Sequence, residues 1–245
     1  EAVMIGGEAS FGAHRQQHET RELICKLVVD HPDRQGAELF AREQWAGISG
    51  MSVGTSINLA THVQPMTGTF LFLLNKQAVT SRMTLGGVTL DVPVAMGVPE
   101  ARCASLSSQP KPGPEPKTGE VAVELVRLAW ARSGDKGHLF NIAIIARSPE
   151  YLSYLRAALT PEAVGEWYRH LRPDGLPPHV DRYDVPGFNA LNFVLHDCLA
   201  GGINASTQLD PAAKGMAQML LRFPVPVCVA LQAKFAKPNQ SHVGD

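Results

Sequence analysis

Apolar and polar positions alternate in short runs through the second half of the chain, and they predict a mixed set of strands and helices. "EVAVELVRLAWAR" (120–132) and "FNIAIIAR" (140–147) have the composition of strands. "SPEYLSYLRAAL" (148–159) changes to a helical period behind Ser148-Pro149-Glu150, an N-cap followed by proline at the first helical position. "TPEAVGEWYRHL" (160–171) repeats that start. "HVDRYDVP" (179–186) predicts a third strand, and "FNALNFVLHDCLAGG" (188–202) a helix ending at Gly201-Gly202. "ASTQLD" (205–210) predicts a short fourth strand, and "DPAAKGMAQMLLRF" (210–223) a helix with Asp210 as cap and Pro211 at its first position. Strands and helices intermixed over this length predict a small α+β domain, a sheet packed on helices.

Upstream the pattern is different. "AVMIGG" predicts a strand running into a turn, so the chain reads as opening in the middle of a fold. "HRQQHETRELICKLVVDH" (14–31) puts Leu23, Ile24, Leu27 and Val28 on one helical face, and Asp33 caps a second helix. After the glycine-rich "GISGMSVGTS", "GTFLFLLNKQAV" and "SRMTLGGVTLDVPV" predict strands, with Gly86-Gly87 as a tight hairpin turn. These elements look like the closing portion of a larger α/β domain. Prolines at 110, 112, 114 and 116 make 105–120 a semi-rigid linker. The expected organisation is therefore 1–104, a linker at 105–120, and a C-terminal domain at 121–245.

Composition narrows the function classes. The 245 residues carry a formal net charge of −1, so no global field recruits nucleic acid or an anionic membrane. Hydrophobic residues at 44% and charged residues at 18% are ordinary for a globular protein. Cys25, Cys103, Cys198 and Cys228 lack CxxC spacing, which fits reduced thiols and a cytoplasmic setting. The apolar run near Phe70 is too short to span a bilayer.

Two clusters carry candidate chemistry. The first is Arg132-Ser133-Gly134-Asp135-Lys136-Gly137-His138 with Asn141. Gly134 and Gly137 let the backbone bend around an anion, Arg132 offers a bidentate fork, and Lys136 a point charge. Asp135 and His138 add groups that can move a proton. The same cluster also reads as a solvated hairpin turn. The second is Asn189, Asn192 and His196, which on a helix would share one face at an anion-attracting N-terminus. There too, Asn189 as a plain cap and His196 as a core imidazole remain open. His14 and His18 have i, i+4 spacing but no third ligand nearby, so no metal or other cofactor is expected. Cys198 reads as a packing residue.

"ARSGDKG" followed by Asn141, "FNALNFVLHDCLAGG" and "LDPAAKGMAQMLL" together resemble the C-terminal domain of the acyclic terpene utilisation AtuA-like family. More loosely, "ELFAREQWAGISGMSVGTS" is similar to the end of that family's N-terminal domain. The resemblance implies a ferredoxin-like α+β domain in a catabolic protein of branched acyl-CoA esters. Carried onto matching positions, it singles out Arg132, Ser133, Gly134, Asp135, Lys136, Gly137, Asn141, Asn189, Asn192, His196 and Gly201, and departs at His138. The expected site binds an acyl-CoA or small carboxylate, with Asp135, Lys136 and His196 as acid/base residues in a lyase or hydratase step. The alternative is a non-catalytic assembly or ligand-binding module, a homo-oligomer or a partner of an upstream domain of the same protein.

Overall fold

The computed structural model of the protein describes residues 1–16, 19–47, 54–56, 63–68, 70, 72–95 and 121–236. The proline-rich 105–120 segment, His18 and most of the glycine-rich connection lie outside the described residues. By packing, Glu1–Thr69 and Pro114–Asp245 form one compact unit, and Phe70–Gly113 a second.

The first unit is built on a four-stranded antiparallel sheet. Its N-terminal strands are β1 (Ala2–Ile5) and β2 (Ile24–Leu27), paired antiparallel with Val3 opposite Lys26. The helix expected over 14–31 is thus corrected: Ile24–Leu27 find strand partners in β1, and ladder bonds outweigh a helical stripe too short to nucleate by itself. Helix α1 (Arg34–Glu43) forms as expected, with Asp33 accepting a hydrogen bond from Gln35 N at 3.1 Å.

The second unit holds β3 (Ser81–Leu85) and β4 (Val88–Val92), an antiparallel hairpin turned by Gly86 and Gly87 at φ 58° and 80°. The strand expected at 68–79 is absent among the described residues, where a single 3-10 turn, Lys76–Ala78, forms behind an Asn75 cap.

Back in the first unit, β5 (Val121–Glu124) pairs with β10 (Pro224–Val227). The run read as one strand from 120 to 132 breaks at a 3-10 turn, Leu125–Arg127, which sinks Leu125 and Leu128 fully into the core. The chain re-emerges as β6 (Ala129–Lys136), turns directly into β7 (Leu139–Ala146), and after a 3-10 turn at Pro149–Tyr151 forms α2 (Leu152–Ala158) and α3 (Pro161–Trp167). Thr160 caps α3 through Ala163 N at 3.1 Å, whereas the Ser148 side chain makes no cap bond. Then come β8 (Val180–Val185) and β9 (Ala190–Leu195), α4 (Met216–Leu220), β10, and α5 (Val229–Ala236). The sheet order is β6-β7-β9-β8.

The largest correction is at β9. The helix expected over 188–202 is a strand, because Leu191, Phe193 and Leu195 alternate with Asn192 and Val194 at a period of two. That period matches Phe140, Ile142 and Ile144 on the neighbouring strand, and all six apolar side chains are fully buried. Each such burial contributes about 1.5–3 kcal/mol. The strand expected at 205–210 is irregular chain, and the helix expected over 210–223 shortens to α4. Asp210 nonetheless acts near its start, accepting from Lys214 N at 2.9 Å and Gly215 N at 2.7 Å, so its carboxylate closes a turn before the helix.

The N-terminal segment packs against the helical layer. The His14 ring stacks on Trp167 with centroids 3.6 Å apart, and His170 bonds the Ser10 carbonyl at 3.0 Å. Among the described residues no helix is long and apolar enough to cross a membrane.

Candidate functional site

Strand register sorts the candidate residues onto two faces. Asp135 lies opposite Phe140 and Ser133 opposite Ile142, so both belong to the buried, helix-covered face. The alternate positions form the other face, which no helix covers among the described residues. One row across it reads Lys136, Leu139, His196 and His179; the next Gly134, Asn141, Val194 and Asp181. Below these come Arg132, Ala143, Asn192 and Tyr183, then Trp130, Ile145, Ala190 and Val185. One face therefore carries cations and imidazoles at one end, amides in the middle and apolar side chains at the other.

Two diagonal contacts tie this face together. Asn141 Nδ2 donates to Asn192 Oδ1 at 3.0 Å across β7 and β9. His196 Nε2 and Asp181 Oδ2 are 2.8 Å apart across β9 and β8, and His179 Nε2 lies 3.3 Å from Asp181 Oδ1. The hydrogen bond from His196 holds the Asp181 carboxyl below its ordinary range. Lys136 and His196 are separated by two strand spacings, about 10 Å of backbone, within the joint reach of two long side chains.

Ser133 and Asp135 serve the fold. Ser133, 6% exposed, donates from Oγ to the Ala213 carbonyl and accepts from Ala217 N at 2.9 Å. Asp135 Oδ1 lies 3.1 Å from Lys214 Nζ, and that bond keeps the carboxyl below its ordinary range. Asp135 N donates to the Ala212 carbonyl at 3.2 Å. A Cβ on Gly134 would come within 3.1 Å of Lys214 Nζ, so this amine reaches around the outer edge of β6. Two of the separated sequence motifs, SGDKG and DPAAKGMA, are thus halves of one edge-closing contact. The structure does not bring Asp135 onto the face that bears His196.

Gly137 and His138 are the two residues of the β6–β7 hairpin turn, with Gly137 at φ 72° as a two-residue turn requires. The loop after β9 closes over this turn. Leu199 N donates to the His138 carbonyl at 3.1 Å, and a Cβ on Gly202, itself at φ 85°, would stand 2.8 Å from Gly137 O. His138 Nε2 sits 3.7 Å from Asp197 Oδ1, both exposed. Asn189 occupies the β8–β9 turn at φ 49°. It is seven residues from His196 along the strand, about 23 Å away, so the two do not share a site. Cys198 is fully buried, and burial pushes its thiol up to about 12, which suits packing and not nucleophilic chemistry.

Sequence reasoning missed His179 and Asp181. Their signal was the alternation His179-x-Asp181 at the start of a strand, which sets both on one face.

Residues 123–226 match the family model of the AtuA ferredoxin-like domain. Searches of the curated proteins and of the solved structures found no match.

Proposed function

With an AtuA-like family assignment carried by the ferredoxin-like domain at residues 123–226, we propose that this chain is part of a catabolic protein of acyclic terpene and branched acyl-CoA degradation. In this reading the uncovered sheet face binds the acyl-CoA or a related carboxylate. The carrying observation is the Asn141–Asn192 amide pair, fixed at 3.0 Å in the middle of that face. It leaves Asn192 Nδ2 to donate to a ligand oxygen, with Arg132 in the same row as an anion fork. Trp130, Ile145 and Ala143 supply the apolar stretch an acyl chain needs.

The lyase or hydratase step takes its proton traffic from the other end of the face, where Lys136 and the imidazoles of His179 and His196 lie. Asp135 has no part in it, being paired with Lys214 on the opposite side. The free thiols Cys25, Cys198 and Cys228 support a cytoplasmic setting. We further propose that the N-terminal elements are the closing portion of an upstream domain joined through 105–120.

A specific observation favours a second reading, the assembly module. Trp130 and Tyr183 are each 52% exposed on one sheet face, a surface that another domain or a second copy would cover. Calorimetric titration of the purified chain with free CoA, a straight-chain and a branched acyl-CoA separates the two. The ligand reading predicts saturable binding that Arg132→Ala and Asn192→Ala weaken. Absence of heat together with a concentration-dependent dimer in sedimentation would establish the assembly role instead.

A further inference from the structure

At the exposed end of the sheet face, three metal-ligating side chains converge from two adjacent strands. His179 and His196 are direct cross-strand neighbours, joined by a 3.0 Å bond from His196 N to the His179 carbonyl. Their rings are 4.9 Å apart by centroid. Asp181 stands two residues along β8, on the same face, with one oxygen 3.3 Å from His179 Nε2 and the other 2.8 Å from His196 Nε2. One ligand atom from each of the three falls within 4.8 Å of the others.

We propose that His179, Asp181 and His196 form a binding site for a divalent transition-metal ion of the zinc class, with coordination positions left open to solvent. A tetrahedral ion at the usual bond lengths of 2.0–2.1 Å sets its ligand atoms about 3.3 Å apart, so the three side chains need only small rotations to receive it. Two neutral imidazoles and one carboxylate are a nitrogen–oxygen set that suits zinc, iron or cobalt and disfavours magnesium, which takes oxygen ligands. The strand pair anchors the site: Asp181 lies on β8, and His179 and His196, immediately before β8 and after β9, are tied to each other by the backbone bond that continues the ladder. His179 is 72% exposed at its side chain, so the ion has an entry path from solvent. Zinc lowers the pKa of bound water toward neutrality, so with His179 and His196 held as metal ligands the bound water, in place of the imidazoles, would be the proton carrier at this end of the face. The site stands on its own geometry, and it is tested without any acyl-CoA, so its failure and that of the ligand reading are distinguishable.

The test is a cobalt titration of the full chain, untagged and stripped with a chelator, followed by visible absorption. One Co²⁺ per chain is expected, giving a d–d band that Zn²⁺ abolishes by displacement and Mg²⁺ leaves in place. His179→Ala and Asp181→Asn each lower the affinity by at least roughly tenfold, while His31→Ala, which removes an exposed imidazole outside the cluster, leaves it unchanged. Circular dichroism checks that the variants fold, which the exposure of His179 favours. No band in the wild type, or a band retained by the His179→Ala/His196→Ala double variant, overturns the proposal.

Discussion

Asn141 on β7 and Asn192 on β9 are diagonal neighbours, Nδ2 of the first donating to Oδ1 of the second at 3.0 Å. They are the polar centre of a sheet face whose other side carries the buried core side chains of β7 and β9. Removing the pair is expected to be cheap for the fold. Asn141→Ala should cost about 0.5–1.5 kcal/mol in urea denaturation, the net worth of one partly exposed hydrogen bond. A much larger loss would show that the pair serves stability and not recognition.

Ser133→Ala should behave in the opposite way. Its hydroxyl is buried between Ala213 O and Ala217 N, so truncation leaves both unpaired, at a cost of about 1–3 kcal/mol. Acyl-CoA titration of the folded variant should match the wild type, because Ser133 is on the helix-covered face.

Gly202→Ala and Gly187→Ala separate two glycine effects. Both residues have φ near 85°, but a Cβ at Gly187 meets open space while one at Gly202 meets Gly137 O at 2.8 Å. Gly187→Ala should cost about 1–2 kcal/mol of backbone strain. Gly202→Ala should cost about 3 kcal/mol or more, the range of severe single substitutions. Thermal unfolding of the two variants side by side reads the difference.

Much of this was legible in the sequence, and the misreadings share a cause. The β3–β4 hairpin, the Asp33 and Thr160 caps and strands β7 and β8 follow from turn residues and local period. "ALNFVL" was misread because Asn189, Asn192 and His196 happen to fit a helical spacing. The deciding fact, that Leu191, Phe193 and Leu195 match the inward side chains of β7, is a long-range pairing. The same mistake hid the histidine cluster. His179 and His196 become neighbours only when β8 and β9 pair, so no local motif could show them together. SGDKG was visible as a motif, but which of its side chains point inward depended on the register with β7.

Acidification should loosen the N-terminal segment. Burial holds the His170 imidazole below its ordinary pKa, beside His14 and bonded to Ser10 O. The unfolded chain therefore binds this proton more readily than the folded one. The stability it supports is present above the unfolded value of about 6.5 and is lost as pH falls through the lower folded value. Denaturation midpoints should drop between pH 7 and pH 5.5, and His170→Gln should flatten that drop. Equal slopes for both proteins would remove His170 from the explanation.

The most direct test of the ligand face is the side-chain amide region of a ¹⁵N NMR spectrum during titration with a branched acyl-CoA. The account predicts that the Asn141 and Asn192 amide signals shift and saturate together while the Asn189 signal, at the far end of the sheet, stays in place. Stationary Asn141 and Asn192 signals, or shifts confined to Asn189 and its turn, would contradict it.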